Sequence, residues 1–229
     1  MSEYVATKKI IGIIGGTGKE GKGLAYRWLK SGYRVFIGSR QVEKAQLAAE
    51  ELRELVGAAN GERVVGVLNE EAVERCEIAV LTVPYSAHRV TLQALKPYLV
   101  GKILVDVTVP LVPPRVTRVQ MPPAGSAAQE AQEILGDQTA VVAAFQNIAY
   151  EHLLNDELVD CDVLVCGTGK AARQMVLEMV EAAGLVGFDA GPIENSVVVE
   201  GLTSVLIGIN KQFGVQSSGI KITGVQKAQ

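Results

Sequence analysis

The sequence is poor in the residues from which metal sites and protein nucleophiles are usually built. It contains three cysteines and two histidines among 229 residues, and the cysteine spacing matches no zinc or redox motif. Cys76, Cys161 and Cys166 cannot all pair, and we interpret them as buried thiols of a reducing cytoplasm. His88 and His152 have no carboxylate or cysteine at metal-ligand spacing, which indicates surface or helix-end histidines and predicts no metal site.

Charge and hydropathy exclude further classes of function. A formal net charge of -3 provides no basic surface for nucleic acid. No apolar run reaches the roughly 20 residues of a membrane helix, and the longest one, 197–209, is interrupted by Glu200. The first residues lack the charged-then-apolar pattern of a secretion signal. We therefore expect a soluble, cytoplasmic protein whose partners are small molecules, with no nucleic acid and no membrane among them.

Small and aliphatic residues are abundant, and strand-like runs alternate with helical patterns along the chain. The strand-like runs are 8–15, 33–37, 63–68, 77–83, 102–107, 139–145, 162–166 and 185–189. Helical spacing occupies 19–30, 42–55, 70–75 and 86–95. Such alternation requires crossover connections, so the sequence predicts an α/β fold with a doubly wound, mainly parallel Rossmann-type sheet and a small C-terminal helical extension.

Two segments interrupt the alternation. The first, 109–125, holds five of the eight prolines and is predicted to be a long loop beyond the fifth strand, where open sheets bind ligands. The second, 192–213, is predicted to be a helix. One face of this helix is apolar and consists of Val198, Leu202, Val205, Ile209 and Phe213. That face is expected to be buried by the rest of the chain or by a second subunit.

The most informative motif follows the first predicted strand and opens the first predicted helix. Gly16, Gly18 and Gly21 satisfy G-x-G-x-x-G, in which the glycines allow a tight turn, close approach of a pyrophosphate and helix–sheet packing. Glycine-rich turns also occur for packing alone, but the position in a first βα unit favours dinucleotide binding. The predicted phosphate-binding residues are Gly16, Thr17, Gly18, Lys19 and Glu20.

The end of the second predicted strand discriminates between the two nicotinamide nucleotides. An NAD site has Asp or Glu there to accept from the ribose hydroxyls, whereas this chain has Ser39 and Arg40, followed by Lys44. A hydroxyl, a guanidinium and an ammonium suit a 2′-phosphate, so NADP is predicted. Alternatively, the two basic residues are solvated helix-opening residues. Val83 and Pro84 end the fourth strand and either contact NADP or only stop the strand.

Taken together, these motifs resemble the NADPH-dependent coenzyme F420 reductases over nearly the whole chain. The N-terminal ones are GGTG and GKG at 15–18 and 21–23, GSR at 38–40 with Lys44, and AVLTVP at 79–84. The C-terminal ones are DAGP at 189–192, NS at 195–196, VE at 199–200, LT at 202–203 and GIK at 219–221. The chain is also similar to the cytoplasmic part of the Steap metalloreductases.

The resemblance implies reversible hydride transfer between NADP(H) and the deazaflavin coenzyme F420, with no residue acting as general acid, base or nucleophile. It also implies an NADP-binding Rossmann domain, 1–145, and a smaller C-terminal part, 146–229. The smaller part would complete the second-cofactor cleft and form the interface of a homodimer. Asp106, which closes a strand, is given no catalytic role. Glu200 is interpreted either as the polar edge of a buried helix or as a residue directed at the cofactor.

The second-cofactor residues that the resemblance implies are Gln146, Ile148, Ala149 and Thr203. Ile148 would pack beside the stacked rings and Thr203 would hydrogen-bond the deazaflavin. Three positions depart from the family pattern: Gln146 replaces a histidine, Gly201 replaces a serine, and Tyr150 is bulkier than the usual residue. Two alternatives therefore stay open: an NADPH-dependent reductase of a flavin, quinone or ferric chelate, and a non-catalytic NADP(H)-binding module.

Overall fold

A single eight-stranded sheet organises the chain in the computed structural model, which describes residues 8–225. The strands are β1 Ile10–Ile14, β2 Arg34–Ser39, β3 Val64–Leu68, β4 Ile78–Leu81, β5 Ile103–Asp106, β6 Ala140–Ala143, β7 Asp162–Gly167 and β8 Val186–Gly191. Their order is β3-β2-β1-β4-β5-β6-β7-β8, and only the β6–β7 pair is antiparallel. The first six strands follow the Rossmann order, so the predicted mainly parallel, doubly wound sheet is confirmed.

Helices cover both faces of this sheet. They are α1 Lys19–Lys30, α2 Val42–Val56, α3 Ala58–Gly61, α4 Asn69–Arg75, α5 Tyr85–Leu99, α6 Ala127–Leu135, α7 Lys170–Ala182 and α8 Ser196–Phe213. Among residues 8–225, no helix is both long and apolar enough to cross a membrane. Sequence reasoning located α1, α2, α4, α5 and α8 and did not identify α6 or α7. The capping pattern of Ser126 and Gln129 was a usable signal for α6.

Side chains that alternate along the strands divide the core into two layers. Ile11 and Ile13 of β1 pack with α1, α2 and α7 on one face, whereas Ile14 packs with α4 and α5 on the other. Trp28 of α1 is fully buried in the first layer, and its indole N–H donates to the Met179 carbonyl at 2.9 Å. The sheet is therefore buried on both faces, and its carboxyl edge is available for a ligand.

The C-terminal part of the chain continues the same sheet. β7 and β8 pair parallel to each other at the edge beyond β6, and α8 then returns to the carboxyl ends of β5 and β6. The predicted boundary at residue 145 falls just after β6, where the strand direction reverses. The division into 1–145 and 146–229 stays a prediction. The proline-rich segment 109–125 contains no helix or strand, as predicted.

Candidate functional site

The glycine-rich turn between β1 and α1 is held by backbone contacts. Gly15 has a φ of +70°, and the Gly16 N–H donates to the Gly38 carbonyl at 3.0 Å, which ties the turn to the end of β2. A Cβ at Gly21 would lie 2.7 Å from the Gly16 Cα and 2.9 Å from the Thr82 hydroxyl. Gly21 is therefore required by the packing of helix on strand, and Gly16 is required by the tight turn, where a Cβ would lie 3.0 Å from the Ile13 carbonyl oxygen.

Gly18 differs from its neighbours because protein packing does not require it. The nearest atom to a Cβ built there is the Gly15 carbonyl oxygen at 4.0 Å, and its φ of -73° and ψ of 166° suit any residue. It is also the N-cap of α1, where no side chain caps the exposed N–H groups. An uncapped N-terminus with open space in front of it suits an anion such as a phosphate.

The other predicted phosphate-binding residues surround this helix N-terminus. Thr17 is half-buried and Lys19 is exposed. Glu20 lies in the first turn of α1, where a carboxylate would repel a bound phosphate. Burial raises the pKa of Glu20 to about 8, however, so its carboxyl group is mainly neutral at pH 7. The first turn of α1 thus presents N–H groups and a lysine without an opposing full negative charge.

The residues predicted to read the 2′-phosphate lie at the end of β2 and the start of α2. Ser39 is buried, and its hydroxyl oxygen accepts from the Gln41 N–H at 3.2 Å, so its hydrogen is available to a ligand. Arg40 and Lys44 are exposed, and neither makes a hydrogen bond or an ion pair with any residue in 8–225. The two cations lie just before α2 and in its first turn and have no anionic partners in 8–225, an arrangement that suits a dianion.

Two further residues connect this region to β3 and β4. Asn69, which sequence reasoning missed, accepts the Gly15 N–H on its Oδ1 at 3.1 Å; its position directly after a predicted strand was the available signal. Val83 packs over the turn, since its Cγ1 would lie 2.6 Å from a Cβ at Gly15. Pro84 is exposed and precedes α5. The predicted Gly16–Glu20, Ser39–Lys44 and Val83–Pro84 groups therefore meet at one edge of the sheet.

The segment after β6 is held in an unusual conformation. Phe145 has a φ of +74°, a strained value for a bulky residue, and its ring packs edge-on against Trp28 at 5.8 Å. The Gln146 side-chain N–H then donates to the Asp106 carbonyl at 2.7 Å. Asn147 donates to the Val199 carbonyl at 3.0 Å. The turn is thereby fixed between β5 and α8.

Thr203 fixes the direction of the Asn147 amide. The Thr203 hydroxyl donates to the Gln146 carbonyl at 2.8 Å and accepts from the Asn147 Nδ2 at 3.2 Å. The single hydrogen of the Thr203 hydroxyl is donated to the Gln146 carbonyl, so Thr203 can only accept a hydrogen bond from Asn147. The Asn147 atom that faces Thr203 must therefore be the amide nitrogen. The predicted hydrogen bond between Thr203 and the deazaflavin stays a prediction. The second lone pair of the Thr203 hydroxyl oxygen could accept such a bond.

Three buried polar atoms in this region lack a partner among residues 8–225. They are Thr108 Oγ1, Gln146 Oε1 and Asn147 Oδ1. In Gln146 and Asn147 the amide nitrogen is engaged, so the unpaired atom in each is a carbonyl oxygen. An unpaired buried polar atom costs about 1–3 kcal/mol, and a ligand N–H or O–H would remove that cost. Thr108, which directly follows a predicted strand, was missed from the sequence, and Asn147 lies in the segment expected to face the deazaflavin but was given no role of its own.

The remaining predicted residues form the border of this second region. Ile148 is buried and Ala149 is half-buried. The Lys19 ammonium lies 4.9 Å from the Tyr150 ring centroid and 3.4 Å from its hydroxyl, which joins the glycine turn to the segment after β6. Gly201 faces the proline-rich loop, since a Cβ there would meet Val119 and Met121 at 3.4 Å.

The prediction of a surface position for His88 is wrong, although the residue does lie at a helix end, in the first turn of α5. The His88 side chain is fully buried; its Nε2 lies 2.8 Å from Asp106 Oδ2 and its Nδ1 lies 3.2 Å from Glu130 Oε1. Burial lowers the pKa of His88, but hydrogen bonds to the two carboxylates and their charges outweigh this and raise the pKa above its ordinary value. Glu130 also accepts from Arg89 at 2.9 Å. The partners come from separate elements, so residue spacing did not reveal them.

Glu200 is buried against the N-terminus of α6. Its two carboxyl oxygens accept from the Ala127 and Ala128 N–H groups at 2.7 and 3.0 Å. Burial nevertheless raises the pKa of Glu200 to about 8, with the N–H donors opposing the rise and the charge of Asp106 adding to it. Glu200 therefore caps a neighbouring helix from the buried side of α8, a role that neither of the two interpretations from the sequence included.

Comparison with known proteins gives consistent matches. Residues 10–110 match the family described as "NADP oxidoreductase coenzyme F420-dependent". The F420-dependent NADP reductase of Methanocaldococcus jannaschii is 37% identical over 222 residues, which cover 94% of this chain and 99% of that protein. Human metalloreductase STEAP2 is 27% identical over 198 residues, 86% of this chain but 36% of STEAP2. A crystal structure from Arthrobacter sp. FB24, described as an F420-dependent NADP reductase, superposes on this chain with a TM-score of 0.77 and 24% identity. The superposition covers 94% of this chain and 100% of the Arthrobacter chain.

Proposed function

The chain belongs to the family of F420-dependent NADP reductases, and from that premise we propose that it transfers a hydride reversibly between NADPH and the deazaflavin coenzyme F420. Its length matches that of the M. jannaschii reductase almost completely, whereas it corresponds to about a third of STEAP2. The family is thus one of NADP-dependent oxidoreductases, and the substrates are NADP(H) and F420.

The observation that carries the proposal is the pair of anion sites at the carboxyl edge of the sheet. The uncapped N-terminus of α1, with open space at Gly18, suits the pyrophosphate. Ser39, Arg40 and Lys44 suit the 2′-phosphate, because they supply a free hydroxyl hydrogen and two cations without partners in 8–225. No carboxylate stands at the end of β2 to favour NAD.

The residues for the second ring system lie on the segment after β6 and on α8. Gln146 and Asn147 each present a buried carbonyl oxygen without a partner in 8–225, and such acceptors fit a ring that carries an N–H donor. Ile148 provides an apolar surface, and Ala149 leaves room beside it. Gln146, Ile148 and Ala149 are also residues that the family resemblance implies for the second cofactor.

The two cofactors supply the hydride-transfer chemistry themselves, from the nicotinamide C4 to the deazaflavin C5. The task of the protein is to hold two planar groups in contact, in one orientation and away from water. Fixed side chains serve that task, and the strained Phe145 turn is locked on both sides by Asp106 and Thr203. We assign no general acid, base or nucleophile.

The test is a steady-state assay of the purified protein with NADPH and coenzyme F420, followed by loss of the visible deazaflavin absorbance. NADH serves as the rival donor, and flavin mononucleotide and ferric citrate serve as rival acceptors. The proposal expects rapid bleaching of F420 with NADPH only. Faster reduction of a flavin or of ferric iron would instead support the second candidate, a reductase of another acceptor, which is favoured by the absence of a hydroxyl at Gly201.

We also propose a cytoplasmic homodimer that associates through α8. The apolar face predicted from the sequence points outward: Val198, Val205 and Phe213 are 62%, 48% and 69% exposed, respectively. A second copy of this face would cover it. Light scattering should give a dimer for the wild type and a monomer for Phe213→Glu. A monomeric wild type at micromolar concentration would contradict the proposal.

A further inference from the structure

Asp106 uses every acceptor atom it has. Its Oδ2 lies 2.8 Å from His88 Nε2, and its Oδ1 accepts the Thr108 N–H at 3.0 Å. Its backbone carbonyl accepts from the Gln146 side chain at 2.7 Å. The Asp106 side chain is fully buried, so water does not compete for these bonds. One residue therefore connects α5, the start of the proline-rich loop and the segment after β6.

Two of the residues that Asp106 holds carry the unpaired polar atoms of the second-cofactor region. Thr108 Oγ1 and Gln146 Oε1 have no partner in 8–225. Thr108 is bonded through its backbone N–H to the Asp106 carboxylate, whereas the Gln146 side chain is bonded to the Asp106 backbone carbonyl. A rotation of the Asp106 carboxylate therefore releases the Thr108 N–H but not the Gln146 bond. His88 is the one side chain that donates to Oδ2 in this part of the chain, so it determines the carboxylate orientation.

We propose that His88 is a positioning residue for hydride transfer: it orients the Asp106 carboxylate, which holds the Thr108 N–H and so directs Thr108 Oγ1 toward an N–H or O–H donor of the bound deazaflavin. This inference rests on the proposed function and adds to it a residue that does not itself touch either cofactor. The structure places His88 under the second-cofactor region, in the first turn of α5.

Titratable and charged groups surround His88 on each of the elements packed around it. Asp106 approaches from β5 and Glu130 from α6, and Tyr85 and Arg89 of α5 itself donate to Glu130. Glu200 of α8 interacts electrostatically with His88 and Asp106. Removing the His88 charge therefore lowers stability whether or not His88 positions Asp106. A measurement of stability alone does not test the proposal.

The two imidazole nitrogens can be replaced one at a time. His88→Gln places an amide nitrogen near the position of Nε2 and keeps a donor for Asp106, whereas His88→Asn places it near Nδ1 and keeps a donor for Glu130. Both variants remove the imidazolium charge and both are polar, so they form a matched pair. Only the direction of the remaining hydrogen bond differs.

Three readouts are measured on full-length protein: the Kd for F420 from its fluorescence, kcat/KM for F420 in the steady state, and the Kd for NADPH. We expect His88→Asn to weaken F420 binding and kcat/KM by about tenfold, the worth of one hydrogen bond to a neutral group. His88→Gln should stay within about threefold of the wild type, and the NADPH Kd should change less than twofold in both. Equal losses in the two variants, or no loss in His88→Asn, would overturn the proposal.

Two isosteric variants provide the same test if the His88 variants do not fold. Asp106→Asn turns one acceptor into a donor, which opposes either His88 or the Thr108 N–H, so F420 binding should weaken. Glu130→Gln also removes one negative charge but leaves Asp106 intact, so F420 binding should hold. The reverse result would reject the inference. A wild type that neither binds nor reduces F420 would reject the proposed function, and this inference with it.

Discussion

Alanine at Gly18 and alanine at Gly21 separate cofactor binding from packing within a single turn of the chain. At Gly21 the new methyl would lie 2.7 Å from the Gly16 Cα, which is backbone, and 2.9 Å from the Thr82 hydroxyl. Such overpacking costs about 1–3 kcal/mol. Alanine gains roughly 1 kcal/mol over glycine inside a helix, which offsets part of that cost. Because the clash is with backbone, the cost belongs in the upper part of that range, about 2–3 kcal/mol, and we expect Gly21→Ala to lower the free energy of unfolding by about 1–2 kcal/mol.

Gly18→Ala should leave stability unchanged. Nothing in 8–225 approaches a Cβ there more closely than 4.0 Å, and the backbone angles are those of an ordinary extended residue. The loss of a favourable N-cap glycine, a few tenths of a kcal/mol or somewhat more, is balanced by reduced freedom of the unfolded chain. The methyl would, however, stand where the pyrophosphate is expected, and NADPH affinity should fall at least tenfold, or about 1.4 kcal/mol.

Urea unfolding and NADPH fluorescence titration on the two variants measure both quantities. We expect opposite patterns: normal stability with weak NADPH binding for Gly18→Ala, and lowered stability for Gly21→Ala. An NADPH Kd within twofold of the wild type in Gly18→Ala would show that the phosphates do not pass over Gly18. It would refute the assignment of this helix N-terminus as the anion site.

Two further predictions concern specificity and pH. Arg40→Ala should raise the Kd for NADPH by roughly tenfold or more and leave the Kd for NADH within about twofold. The reason is that the guanidinium has no partner in 8–225 and is therefore available to a 2′-phosphate, which NADH lacks. Equal increases in the two Kd values, measured by titration, would contradict this role. Burial raises the pKa of Glu200 to about 8 in the folded state, against 4.5 in the unfolded chain. The protonated carboxyl group therefore contributes to stability below about pH 5, and this contribution is lost as the pH rises through 8. In chemical unfolding, the free energy of unfolding of the wild type relative to that of Glu200→Gln should therefore fall by about 2–4 kcal/mol between pH 5 and pH 8.5. If the wild type instead became more stable than Glu200→Gln as the pH rises, the Glu200 carboxyl group would be ionised throughout this range.

The nucleotide half of the site was accessible from the sequence because it is local. Gly16 to Glu20 and Ser39 to Lys44 each lie at one strand–helix junction, and the order of a Rossmann sheet places the two junctions side by side. Each short motif therefore predicted which residues lie close together at its junction. The approach of Gly38 to the glycine turn follows from the parallel pairing of β1 and β2.

The second region depends on contacts between distant parts of the chain. His88 meets Glu130 across 42 positions, and Asn147 meets Val199 across 52, so no spacing rule predicts either pair. Helical periodicity identified the apolar face of α8 correctly but not its environment, because periodicity does not say which face of a helix the chain covers. That information comes only from the tertiary arrangement, in which Val199 and Glu200 point inward and Val198 points outward.

The most direct test of the central claim uses NADPH deuterated at the transferable C4 position, with coenzyme F420 in ordinary water. Mass spectrometry of the reduced F420 reports where the label goes. Direct transfer between the two rings, with no protein acid or base involved, predicts deuterium retained on the deazaflavin. Loss of the label to water, or reduction of F420 by NADH at the same rate as by NADPH, would contradict the account.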